Sequence, residues 1–530
     1  PIFYFPKFFH PDPTVKRQSG FLSPFFTNTT SAGFGVGTPY YWAISENKDL
    51  TFTTKTYAEE SMLFFNEYRQ AFKNGFLTLD TSYTQGYKES SATKSGGSRS
   101  HVFANLNLSS SAEKNYQSNL SMKLQRVNND TFFKIHDVNT ALVDADTTNL
   151  ESSIIYNFNK DGTNINISGT IFEDLDKQKS DRFEYILPKF TFEKAFSTEK
   201  FGILNLKSDA FYKSYDTNKT TAFLTNDIKW SPNSFVTKKG FVNSFESMIR
   251  NTNYESTKTT DYKTDKTVNE LSGVLSFKSS LPMQKENSKF LNIFSPTYMI
   301  RYAPGHMKHL GGDDLDLNYN NLFALNKTSV IEDGLSAIIG FDYKINEKGQ
   351  LGDNKEKFAL SIGQIFSLDE NKDIPSKSSL DQKTSDVVGE MNYNFSKIGS
   401  VGYKFSLDHN LNDINYNEIS TNFDFGKIDF NLDYLEERNH IGNEHYVNSG
   451  ISLAFNENNK LSFSTKKNFK TSSTELYNVS YQYAIDCLTA GLVFRREFYE
   501  DTESDIEPKD SLMFIIRFVP FTGVRAPVIN

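Results

Sequence analysis

The chain has almost no cysteine chemistry to offer, with one Cys, Cys487, in 530 residues. That excludes an internal disulfide framework and any cysteine-based metal site. In an exported chain a lone cysteine is either a small buried hydrophobe or has its partner elsewhere. Tryptophan is nearly missing, at 2 residues. A basic excess is missing too: 57 Lys and Arg face 65 Asp and Glu, for a net charge of −8. A Lys/Arg surface that would bind nucleic acid is therefore excluded. No apolar run reaches the ~18 residues of a membrane-crossing helix. That absence leaves a barrel open, because a barrel strand crosses with ~9–11 residues, only alternate ones apolar. The opening Pro1-Ile2-Phe3-Tyr4-Phe5-Pro6 has no charged n-region, apolar h-region or cleavage site. We expect the chain to begin inside a longer exported precursor.

Catalytic patterns are lacking as well. There is no His-Glu-x-x-His, no Gly-x-Ser-x-Gly and no phosphate-binding loop of the Walker type. Gly33-Phe34-Gly35-Val36-Gly37 resembles a phosphate loop only superficially, and reads better as glycines in a crowded strand. His306 and His309 fall in a loop without cysteine ligands, which reads as solvated rather than metal-binding. The paired acids Glu59-Glu60 and Asp313-Asp314 read as loop charges. No cofactor, metal or enzymatic activity is expected.

What is abundant is aromatic and alternating. Phe numbers 48 and Tyr 27, yet only 37% of residues are hydrophobic and mean hydropathy is −0.52. Phe and Tyr fit a pleated surface. Leu77, Leu79, Thr81 and Tyr83 alternate with Thr78, Asp80 and Ser82. Ile165, Ile167, Gly169 and Ile171 alternate with Asn166, Ser168 and Thr170, and Leu335 through Tyr343 repeats the pattern. Each strand so built has one apolar and one polar face. A soluble sandwich shows the same alternation as a membrane barrel, but no sandwich continues it this far without a domain break. Asn74-Gly75 and Asp161-Gly162 mark tight hairpin turns. Glu89–Ser100, Asn251–Asn269 and Asp369–Thr384 read as long polar loops. Tyr57–Phe72 has some helical composition and is read as a hairpin. At about 20 residues per strand with its connections, the length allows about 26 strands. The expected fold is a single large antiparallel transmembrane β-barrel, all-β, over residues 14–530.

Particular segments carry a family resemblance. Pro11-Asp12-Pro13-Thr14-Val15-Lys16-Arg17-Gln18-Ser19-Gly20-Phe21-Leu22, Thr38-Pro39-Tyr40-Tyr41-Trp42-Ala43-Ile44, Asp49-Leu50-Thr51 and Glu67-Tyr68-Arg69 come first. Asp181-Arg182-Phe183, Leu187-Pro188, Asn321-Leu322-Phe323-Ala324-Leu325-Asn326, Asp333-Gly334 and Ser385-Asp386-Val387-Val388-Gly389-Glu390 follow. Tyr483, Asp486-Cys487-Leu488, Arg495-Arg496 and Asp505-Ile506-Glu507-Pro508 complete the set. In this order the chain resembles the LptD family of lipopolysaccharide-assembly proteins. The resemblance implies lipopolysaccharide transport into the outer leaflet of a Gram-negative outer membrane. It implies a lumenal lipoprotein of the LptE type, a periplasmic bridge protein met by an N-terminal jelly-roll, contact with outer-membrane lipids, and the barrel-assembly machinery as partners. Residues 1–13 are then the remnant of that jelly-roll or its junction. No nucleic acid is implied.

The resemblance also implies a lateral gate between the first and last strands. Pro24 and Pro39 each fall within an expected strand and match the family prolines that loosen this seam. Proline has no N–H to give the ladder. The expected last strand is Ser511–Phe518, with Leu512, Phe514, Ile516 and Phe518 toward lipid and Arg517 toward the lumen. Cys487 lies where some family members carry cysteines bonded to the N-terminal region, so a disulfide to a residue upstream of this chain is expected. The alternative is a passive diffusion porin or nutrient-receptor barrel. A secreted β-rich adhesin or a polysaccharide-degrading enzyme is more distant.

Overall fold

The computed structural model describes residues 17–518 apart from Ser23, 30–31, 87–96, 111–115, Thr131, Asp137, Asn139, 143–146, 260–267, 308–316, 329–330, 350–353, 396–397, Asn439, Ile441, Asn443, 471–472, 486–487 and 498–508. Alternation and β-forming residues produce one antiparallel sheet of 29 strand segments. The sheet closes on itself where Phe25–Thr29 pairs with the last strand, Lys509–Phe518. Three segments share a stave with another segment. Gly20–Phe21 and Phe25–Thr29 both lie on Gly33–Ser45. Phe235–Val236 follows Lys219–Ser231 along Val242–Thr257. Met283–Glu286 follows Val268–Ser280 along Phe290–Ala303. The described wall therefore has three fewer staves than segments, 26 in all, as the length implies. Residues 1–13, the expected jelly-roll remnant, lie outside the described residues.

Burial decides between sandwich and barrel. On Gly75–Thr84 the polar side is the hidden one: Thr78, Asp80, Ser82 and Thr84 are all buried. The outer side of the wall carries exposed apolar side chains, with Ile228, Ile249, Leu275, Ile300 and Ile339 all about half exposed or more. A soluble protein orders these faces the other way. Hydrocarbon outside and a polar lumen inside explain the inversion.

The turns give the wall its polarity. Asp161-Gly162 is a two-residue hairpin with φ of 48° and 71°, the mirror-image turn that its sequence favours. The companion turn sits at Lys73-Asn74, one position before the expected Asn74-Gly75, because Gly75 already pairs with Phe72. Tyr57–Phe72 is the expected hairpin, ending one strand at Tyr57 and beginning the next at Leu63. The opposite rim carries the long connections, among them 128–148, 304–333 and 368–386. One loop expectation is corrected. Asn251–Thr257 continues the strand Val242–Thr257, paired throughout with Lys219–Ser231 and as far as Tyr254 with Val268–Ser280. Its run of polar residues on both faces hid the alternation.

Two long connections fold inward and supply the buried apolar cores. In 128–148 the short helix Phe132–His136 packs Phe132 and Phe133 against Leu63, Phe103 and Tyr57, and Tyr57 Oη donates to the His136 carbonyl at 2.8 Å. In 304–333 the helix Tyr319–Leu322 buries Leu322 against Met299, Ile338, Ile365 and Val388. Gly363 makes this approach possible, since a Cβ there would lie 2.3 Å from Leu322 Cδ2. These loops cover the lumen from the long-loop rim.

Candidate lateral seam and lumen

Among the described residues, the closing seam is the shortest pairing between neighbouring staves. Lys509–Phe518 makes ten register pairs with Leu488–Glu497 on one flank. On the other it makes four: Phe26↔Phe514, Thr27↔Met513, Asn28↔Leu512 and Thr29↔Ser511. All four lie in the half nearer the long loops. Toward the short-turn rim, Ile515 to Phe518 have no partner across the seam among the described residues.

The first stave is itself interrupted beside this break, and two prolines stand at the interruption. Pro24 is not inside a strand, contrary to expectation. It stands just before Phe25, where the first stave divides into Gly20–Phe21 and Phe25–Thr29. Its fixed φ and missing N–H favour such an interruption. Pro39 does lie inside a strand, Gly33–Ser45, opposite Thr53. Its carbonyl accepts the Leu22 N–H at 2.9 Å. A residue's N–H and C=O point to the same side of an antiparallel strand. The missing donor of Pro39 therefore faces the Leu22–Pro24 interruption and costs nothing toward Lys48–Tyr57. The two prolines meet at one gap.

Glycine shapes the upper lip of that gap. The Phe25 ring lies over Gly37, where a Cβ would come within 2.2 Å of Phe25 Cζ. Lys55 Nζ sits 5.4 Å from the same ring. The glycine run 33–37 is thus strand packing, as its sequence context implies. Leu512 and Phe514 are exposed, and Phe26 stacks on Phe34 at 6.0 Å. Ile516, Arg517 and Phe518 pair through backbone with Ala490, Thr489 and Leu488. Their side chains, and Cys487, lie outside the described residues.

Sequence reasoning missed the lumenal charges beside the seam. Asp49, nearly fully buried, takes Arg69 Nε at 2.8 Å, Arg17 Nη1 at 3.1 Å and Tyr41 Oη at 3.4 Å. The signal was present in the Glu67-Tyr68-Arg69 motif, which alternation places two-in, one-out. Farther around, Arg250 forks onto Asp227 with both contacts at 2.7 Å, and Lys229–Glu246 follows at 3.1 Å. The lumen wall is polar and mixed in sign.

The inward loops are fastened by residues of the resembling motifs. Arg301 donates from Nε to the Leu325 carbonyl and from Nη2 to the Glu332 carbonyl, both at 2.7 Å. Asn318 and Asn321 form a reciprocal capping box on the short helix. Asp386 Oδ2 accepts Ser406 Oγ at 2.8 Å and Asn415 Nδ2 at 2.7 Å. In 304–333, burial pushes the Lys327 amine below its usual range, and Glu332 beside it only partly restores it.

A ring of this size, with inward-folded loops and one interrupted seam, can be compared with known proteins. The LptD family model, described as LPS transport system D, matches residues 99–486. The chain belongs to the LptD family. The LPS-assembly protein LptD of Nitrosomonas europaea is 32% identical over 110 residues, 19% of this chain and 15% of that relative. That of Pseudomonas aeruginosa is 35% identical over 83 residues, 16% of this chain and 9% of its own length. The aligned stretches thus take in a small part of these relatives. Among solved structures, the alcaligin outer membrane receptor FauA of Bordetella pertussis is similar at 8% identity and a TM-score of 0.31, over 95% of this chain and 76% of that chain. That likeness bears no weight here.

Proposed function

We propose that this barrel moves lipopolysaccharide to the outer leaflet of a Gram-negative outer membrane, sugars through the lumen and acyl chains out through the seam. The supporting observation is the seam itself, paired over four residues by a first stave that is interrupted where Pro24 and Pro39 meet. Short turns mark the periplasmic rim of outer-membrane barrels and long loops the outer one. The unpaired half then opens toward the periplasm, where the cargo arrives. An amphipathic glycolipid needs water for its sugars and hydrocarbon for its chains, and a closed wall denies it one of them. A polar lumen beside a loosened seam offers both.

A passive porin is disfavoured by the two loops packed into the lumen. In this proposal the remaining lumen seats a lipoprotein, an upstream periplasmic domain meets the protein bridge, and Cys487 bonds to that upstream region. The chain itself transports rather than catalyses, and energy comes from outside.

The test is a photocrosslinking scan in cells, with the reactive residue placed at lumenal positions around Pro24 and Pro39 and at Arg517. Capture of lipopolysaccharide at these positions, and its absence at lipid-facing Ile339, supports the route. A correctly inserted protein that captures none at any of them refutes it.

A further inference from the structure

The lower end of the first stave, toward the short-turn rim, is held by very little backbone. Gly20–Phe21 makes two register pairs, Gly20↔Tyr41 and Phe21↔Tyr40. Its other flank, toward the last strand, has no pairing among the described residues. Apolar burial adds little, since Phe21 is 81% exposed and meets Tyr40 edge-on, with ring centres 5.1 Å apart. The interruption marked by Pro24 separates this end from Phe25–Thr29, the part that closes the seam. A short one-sided ladder of this kind opens locally at small cost.

Two polar contacts extend the hold below it. Ser19 Oγ accepts the Ala43 N–H at 3.0 Å, so a side chain continues the ladder where the strand has ended. Arg17 Nη1 then donates to Asp49 Oδ2 at 3.1 Å. Asp49 belongs to the third stave, Lys48–Tyr57, where it pairs with Ala43 of the second. Neighbouring strands lie ~4.8 Å apart, so the Arg17 side chain spans the whole width of the second stave to make this contact.

Asp49 does not depend on that contact. Its side chain is buried, and Arg69 Nε binds Oδ1 at 2.8 Å while Tyr41 Oη donates to Oδ2 at 3.4 Å. Withdrawing Arg17 therefore leaves the carboxylate with a guanidinium and a hydroxyl, and no uncompensated charge is stranded in the wall. Arg17 itself is 54% exposed, so it can leave into water. The bond thus contributes little to the third stave. What it secures is the segment that carries Arg17, and Asp49, fixed by the fourth stave, is a firm anchor for it.

We infer that Arg17 is a positioning residue of the seam. Bound to Asp49, it pins the lower end of the first stave to the third. Released, it lets Gly20–Phe21 swing about the interruption at Pro24, while Phe26–Thr29 stay paired with the last strand. The use of this motion in export rests on the seam being the lipid exit, but the pin itself does not. The test follows hydrogen–deuterium exchange of the full-length protein in lipid nanodiscs, with no cargo present. Arg17→Gln should speed exchange over Ser19–Leu22 by about tenfold, the low end for a hydrogen bond to a charged group because Arg17 is half exposed. Exchange over Phe26–Thr29 and heat-resistant migration should not change. Raising salt from about 0.05 to about 0.5 M should speed the wild-type exchange by screening the pair, and should not move the Gln variant. Arg17→Lys should restore part of the protection and of its salt dependence, since it keeps the charge but not the guanidinium geometry. Equal exchange over Ser19–Leu22 in wild type and the Gln variant overturns the inference, and so does a rise that extends equally to Phe26–Thr29. A wild-type barrel that captures no lipopolysaccharide around Pro24 and Pro39 would sink the transport reading instead, and would leave these exchange rates as they are.

Discussion

The Pro39 carbonyl accepts the Leu22 N–H at 2.9 Å, yet Pro39 has no N–H to return. A pair that elsewhere in the wall exchanges two hydrogen bonds here exchanges one, and Pro24 ends the ladder two residues on. Replacing both prolines by Ala restores two donors at the gap. Each net hydrogen bond contributes about 0.5–1.5 kcal/mol, so the first stave should be held against Gly33–Ser45 more firmly by on the order of 1–3 kcal/mol, which steadies the strand that meets Lys509–Phe518. We expect photocrosslinks between residues near Leu22 and the last strand to rise, and surface lipopolysaccharide to fall. Export at the wild-type level in a double variant with a tightened seam would remove the prolines from the mechanism.

Gly37 should be intolerant of a side chain for a different reason. The Phe25 ring occupies the space a Cβ would need, with the nearest ring carbon at 2.2 Å. Gly37→Val must push Phe25 off the strand that carries it. Phe25 precedes the four residues that close the seam, so the displacement should spread to Phe26↔Phe514. Overpacking of this kind costs about 1–3 kcal/mol. The expected signs are a lower temperature for loss of heat-resistant migration and a leakier outer membrane. Gly35→Ala should be felt as well, because beyond Thr27 Oγ1 at 2.7 Å the new Cβ meets Tyr57 Cδ1 at 2.9 Å, in a ring held in the buried core.

Much of this architecture was legible, and the places where it was not share a cause. Alternation identified the strands because the lipid face tolerates only apolar side chains while the lumen accepts polar ones, as on Gly75–Thr84. It failed at Asn251–Thr257, where polar residues occupy both faces and the strand reads as loop. Pro24 and Pro39 could be nominated from their chemistry, but only register shows that they address one gap from two strands. The Asp49–Arg69–Arg17 cluster joins residues 32 and 20 positions apart through strand pairing. No local pattern announces such a cluster. The inward fold of 304–333 was likewise hidden, since Gly363 beneath Leu322 looks like any strand glycine until the helix is set upon it.

Arg301 should govern whether that loop stays seated. Its side chain is buried and holds two loop carbonyls, those of Leu325 and Glu332. Arg301→Met keeps the apolar stem and strips the donors, leaving both carbonyls unpaired at about 1–3 kcal/mol each. The loop should then leave the lumen part of the time, with the barrel intact. Planar-bilayer recordings should show larger or more frequent openings, and cells should admit large antibiotics more readily. Arg301→Lys should rescue only in part, because an ammonium cannot reproduce the forked geometry. Unchanged conductance in the Met variant would show that the apolar seat of Leu322 suffices to hold the loop.

The Asp227–Arg250 pair tests whether lumenal charges hold neighbouring staves together. The two side chains fork at 2.7 Å between Lys219–Ser231 and Val242–Thr257, and both are largely shielded. Removing one member strands the other in a partly desolvated wall, whereas removing both leaves no uncompensated charge. Asp227→Asn and Arg250→Gln should therefore each destabilise the barrel more than half as much as the double variant does. A coupling of about 0.5–3 kcal/mol is expected from the cycle, read by urea unfolding in lipid vesicles. If the single effects simply add, the lumen at this depth is wet enough to screen the pair, and the staves are held by their backbone ladder alone.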